Sequence, residues 1–155
     1  MINRRATLGF LAAMIASPLG AKVRPAVVVH RTPACGCCGA WASYLRRAGF
    51  PVTIINEDDL APLKLRAGVP ENLQSCHTAF IEGYVVEGHV PIEAIEKMLA
   101  SKPPILGVSV PDMPAGSPGM EVLGTNPDPF KVISFTGSGQ QGVFLDYPDG
   151  FSLSR

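Results

Sequence analysis

Apolar and polar positions along the chain follow two periods. "PAVVVH", Pro25 to His30, is a β-branched run between a proline and the Thr32-Pro33 turn, and it predicts a buried strand. From Cys38 onward Trp41, Tyr44, Leu45 and Ala48 recur at helical spacing, with Arg46 and Arg47 in the last turn and Gly49 as a stop. "PVTIIN", Pro51 to Asn56, predicts a second strand. Asp58 or Asp59 can then cap a helix through Leu60, Leu63, Leu65 and Ala67, closed by Gly68. "TAFIEG" and "YVVEGH" read as two strands joined through Gly83. In "PIEAIEKMLA" a proline opens a helix with Ile92, Ile95, Met98 and Leu99 on one face.

The order is therefore strand, helix, strand, helix, strand, strand, helix. A parallel βαβ start and a hairpin finish predict an α/β, thioredoxin-like domain over residues 22–101. From Lys102 to Pro129 the chain is too dense in proline and glycine for long regular structure. Its apolar residues Ile105, Leu106, Val108 and Val110 argue for docking rather than disorder, and "FKVISF" and "GVFLDY" offer two more strands. Residues 102–155 thus read as an extension packed on the domain.

The first 21 residues read as an export signal: Arg4 and Arg5, then the short apolar stretch Leu8 to Gly20, ending in small residues. The apolar stretch falls short of the roughly 20 residues that span a bilayer, so no stable membrane span is expected. The arginine pair also fits a twin-arginine leader. Export would place the protein in the periplasm. Removal of the leader leaves 11 Lys and Arg against 13 acids, near −2, with none of the basic footprint of a nucleic-acid binder.

Four cysteines in an exported chain would ordinarily suggest paired bridges, but these are not spread as staples. Cys35, Cys37 and Cys38 fall within four residues, at the start of the first helix, where unpaired backbone N–H groups favour thiolate. Cys35 and Cys38 form a C-x-x-C frame suited to redox chemistry. Cys37 inside that frame would compete for the disulfide, whereas a metal site gains a donor from it. Cys76 and His77 precede the third strand, and this fold carries that loop to the start of the first helix. His89 ends the hairpin at the same end of the sheet, and Met113 and Met120 sit on a proline-glycine loop. Soft thiolate and thioether donors favour copper(I), with zinc as the alternative, and crowded thiolates favour sulfur shared between ions. His30 reads as structural, Trp41, Tyr44 and Met98 as core, and "NEDD", Asn56 to Asp59, as a solvated helix start.

These motifs also carry a likeness. "CGCCGAW", "GVPENLQSCHTAFIEGYVVEGHVP" and "PGM" resemble the CopG-type copper-resistance proteins of Gram-negative bacteria, from about Val27 to about Phe135. The resemblance implies a thioredoxin-like fold, an extension that contributes to metal binding, and several copper ions bridged by cysteine sulfur. It implies Cys35, Cys37, Cys38, Cys76, His77 and His89 as ligands, joined by Met113 and Met120. The expected function is copper binding for resistance, with interconversion of Cu(I) and Cu(II) in support of a copper efflux system. A thiol-disulfide oxidoreductase using Cys35 and Cys38 as catalytic residues, and a passive copper store or chaperone, are the alternatives. The last twenty residues match nothing in that pattern.

Overall fold

A computed structural model describes residues 23–151. The export signal expected over residues 1–21 lies outside them. Seven strands form one sheet in the order β2-β1-β3-β4-β5-β6-β7. They are β1 Val27–Arg31, β2 Val52–Asn56, β3 His77–Ile81, β4 Tyr84–Gly88, β5 Gly107–Val110, β6 Phe130–Phe135 and β7 Gln141–Tyr147, with helices α1 Gly36–Arg47, α2 Ala61–Arg66 and α3 Ile92–Ser101. A single 3-10 turn, Glu71–Leu73, follows α2. β1 runs parallel to β2 and antiparallel to β3, and β3 pairs antiparallel with β4. The strand–helix order expected up to α3 is the order observed.

Alternation along the strands sorts side chains onto two faces. One face carries Val27, Val29, Ala79, Ile81, Val86, Val108 and Val132, covered by Trp41 and Leu45 of α1 and Ile95 and Met98 of α3. The other carries Val85 and Phe135 beneath Val69 and Leu73 of the segment after α2. Glu82 (φ 46°) and Gly83 (φ 85°) make the two-residue hairpin turn between β3 and β4.

On α2, Leu65 is 79% exposed and Lys64 is buried. A six-residue helix is too short for apolar periodicity to set its rotation, and Lys64 finds partners inside. Beyond α3, the proline- and glycine-rich stretch holds the four-residue strand β5, which pairs parallel with β4. The extension therefore continues the same sheet through β6 and β7. Val108 and Val110, expected to dock, are fully buried there.

The topology gathers three segments at one end of the sheet. β1 ends where α1 begins. Because β3 runs against β1, Arg31 pairs with His77, which sets Cys76 beside the start of α1. Thr78 pairs with Glu87, so β4 ends there too and delivers His89.

Candidate metal centre

Cys35 is the N-cap of α1, and Cys37 and Cys38 lie in its first turn. No side chain caps that end, which leaves its N–H groups to favour negative charge on sulfur. Arg31 Nη1 donates to the Cys35 carbonyl at 2.8 Å, holding the loop and setting a cation beside it. Cys35 and Cys38 are joined as a disulfide, with Cα atoms 5.4 Å apart; Cys37 and Cys76 are free thiols.

Cys76 is the meeting point. Its Sγ lies 3.9 Å from Cys37 Sγ, 3.3 Å from His77 Nδ1 and 3.1 Å from His89 Nε2, and Cys37 Sγ is 3.5 Å from Cys35 Sγ. Two donor groups result, Cys35–Cys37–Cys38–Cys76 and Cys76–His77–His89, each with all its ligand atoms within 4.8 Å of one another. They share the Cys76 sulfur.

The imidazoles are set by their surroundings. His89 Nδ1 donates to the Pro118 carbonyl at 2.8 Å, so its Nε2 lone pair faces Cys76. His77 packs against Trp41 (ring centroids 4.5 Å apart) and crosses the His89 ring nearly at a right angle. Trp41 is itself anchored by a 2.9 Å bond from Nε1 to the Val90 carbonyl. His77 presents Nδ1 to the Cys76 sulfur, so Nδ1 is its donor atom, and its Nε2 is buried without a hydrogen-bond partner among the described residues.

Burial decides the protonation states. It pushes the Cys76 thiol up to about 12, with the charge of Cys37 adding to the effect. It lowers both histidines, His77 further through His89 and Lys64. Without metal the centre holds a protonated Cys76 and two neutral rings, and an incoming cation must displace the Cys76 proton. Soft sulfur with unprotonated imidazole suits a soft or borderline ion. The donor set fits copper or zinc.

The expected ligands are not all brought together. Cys35, Cys37, Cys38, Cys76, His77 and His89 converge. Met113 is 49% exposed, on a surface groove that it lines with Pro111, Phe130 and Lys131. Met120 is half-buried on the loop that docks against α1. There Gly119 (φ 86°) lies so close that a Cβ would fall 2.7 Å from Trp41 N and 3.0 Å from the Cys37 carbonyl. His30 bonds Glu57 and stands edge-on to Phe80, as a structural histidine does.

Sequence reading missed Arg31, Pro118 and a buried polar cluster. Lys64 Nζ pairs with Glu87 Oε1 and donates to Thr78 Oγ1 at 2.9 Å; Thr78 Oγ1 donates to Glu87 Oε2 at 2.6 Å; Ser75 N–H donates to Glu87 Oε1 at 2.7 Å. Burial raises the Glu87 pKa, and Lys64, Thr78 and the Ser75 N–H oppose it. Desolvating such a pair costs several kcal/mol per ion, so the pair is a poor device for stability alone. The available signal was Glu87 opposite Thr78, next to the apolar pair Phe80–Val85 on the same face.

The fold and the cluster define a mixed α/β protein, one seven-stranded sheet with three helices, whose cysteine-rich site could bind metal. Residues 73–120 match the family described as "Protein of unknown function, DUF411". Two solved structures are similar, both at 46% identity. "Copper resistance protein copG- Form 1" covers 79% of this chain and 97% of its own at a TM-score of 0.75, and "Copper resistance protein copG- Form 2" covers 81% and 99% at 0.76. The chain belongs to the CopG copper-resistance family. No curated protein matches it.

Proposed function

We propose that this chain is a periplasmic copper-binding protein of copper resistance, thioredoxin-like in its first four strands, holding more than one copper ion through shared cysteine sulfur. Cys76 carries this reading, because it belongs at once to an all-sulfur group and to a group with two imidazoles. Sulfur in low coordination favours Cu(I), and added nitrogen favours Cu(II), so the two groups side by side suit interconversion of the oxidation states. The names of the two similar structures, copper resistance proteins, support the choice of copper over zinc. Cys35, Cys37, Cys38, Cys76, His77 and His89 are the proposed ligands. Met120, on the loop that docks beside Cys37, and Met113, earlier on the extension, are proposed as outer donors. The leader expected over residues 1–21 supports export, and the copper would pass to an efflux system.

The Cys35–Cys38 disulfide favours a second reading, a thiol-disulfide oxidoreductase. Anaerobic copper loading of the reduced chain, with elemental analysis of wild type and Cys37→Ser, separates the two. A copper cluster loses at least one ion per chain with Cys37, whereas a dithiol enzyme keeps full disulfide reductase activity without it. A single zinc and no copper in the wild type would defeat the leading reading.

A further inference from the structure

Glu87, Lys64 and Thr78 hold no metal in this reading, yet they are buried directly behind the residues that would. We propose that Glu87 is a positioning residue of the metal centre, its carboxylate tying Ser75 and Thr78, which bracket Cys76 and His77, to the strand end that delivers His89. The inference rests on the reading of Cys76, His77 and His89 as donors.

The geometry is specific. Ser75 N–H and Thr78 Oγ1 both donate to Glu87, one on each side of the Cys76-His77 pair. Gly88 links Glu87 to His89 at a φ of 73°, and a Cβ there would fall 2.6 Å from Ser75 Cβ, so only glycine lets the two segments close. Ser75 Oγ in turn donates to the Asp112 carbonyl at 2.5 Å, joining the extension to the same point. Three donors, Ser75 N–H, the Lys64 ammonium and the Thr78 hydroxyl, converge on one side chain. Only an all-acceptor group satisfies them together; an amide would turn a donor toward one of them. Lys64, itself buried, supplies the countercharge. A space-filling role alone would be served as well by an apolar pair.

The test uses the full reduced chain as wild type, Glu87→Gln, and the double variant Lys64→Met with Glu87→Leu, which removes both charges together. Copper(I) is titrated against a chromogenic chelator, and iodoacetamide alkylation of Cys76 relative to Cys37 is followed in the metal-free protein. Both variants should bind copper(I) about ten- to a hundredfold more weakly, the usual effect of losing a group that orients a ligand. The Cys76-to-Cys37 alkylation ratio should rise several-fold, and the double variant should still melt cooperatively, at a lower midpoint because the Ser75 N–H and the Thr78 hydroxyl lose their acceptor. A folded double variant with wild-type affinity and an unchanged ratio overturns the inference. Wild-type protein that takes no copper(I) defeats the copper reading instead, and the alkylation ratio then decides the role of Glu87 alone, a raised ratio upholding it and an unchanged one overturning it.

Discussion

His77 and His89 are fully buried, and burial holds both rings neutral below the pH at which a free histidine charges. In the unfolded chain each takes up a proton near pH 6.5. Between that pH and the lower folded value the unfolded state binds more protons, so stability rises with pH there. The metal-free protein should therefore keep its full stability above about pH 6.5 and lose about 1.4 kcal/mol per pH unit for each neutral ring as the pH falls below it. Urea unfolding between about pH 7.5 and pH 5 measures the slope, and His89→Gln should remove about half of it. A flat profile in the wild type would contradict the burial argument. These two residues were legible from the chain because cysteine and histidine declare their chemistry by type and spacing. Lys64 and Glu87 were not, since a lysine in a short helix and a glutamate in a strand are solvated far more often than buried.

At the level of elements, the long-period patterns were readable and the short ones were not. α1 and α3 span twelve and ten residues, enough for an apolar stripe to fix which side faces the sheet. α2 has six, and its rotation is set by the Lys64–Glu87 pair instead. β5 was hidden because its four residues sit among prolines and its pairing partner, β4, lies across a helix in sequence. The loop holding Pro118 and Gly119 shows how an irregular element acts on the centre. Its carbonyl orients His89 while Gly119 lets it approach α1. Gly119→Ala adds a Cβ that meets backbone at Trp41 and Cys37, in a left-handed conformation that alanine resists, so the loop must lift. The expected cost is about 1–3 kcal/mol of stability, with copper(I) affinity about tenfold weaker as His89 loses its orienting bond. Thermal melting and chelator competition on the same sample give both numbers. Unchanged affinity despite lowered stability would remove Pro118 from the account.

For the whole molecule, the consequence to weigh is that the donor set can change while the fold does not. Cys35 and Cys38 are three residues apart in one turn at the start of α1, so their disulfide closes a minimal loop. Chain-entropy stabilisation grows with loop length, and so short a loop adds about 2 kcal/mol, less than a long one would. No strand must move when the bond opens or closes, because the sheet that carries Cys76, His77 and His89 is built independently of it. What changes is the sulfur count: oxidation removes two electrons and two protons from the pair and leaves Cys37 and Cys76 as the free thiols. The all-sulfur group is then dismantled, while Cys76–His77–His89 remains intact. Protein oxidised with diamide should accordingly bind at least one copper(I) fewer per chain than protein reduced and loaded anaerobically, with a thermal midpoint only several degrees higher before loading. Elemental analysis after desalting, paired with thiol counting, reads the difference. Equal copper in both forms would mean that Cys35 and Cys38 stand outside the centre and serve redox chemistry alone.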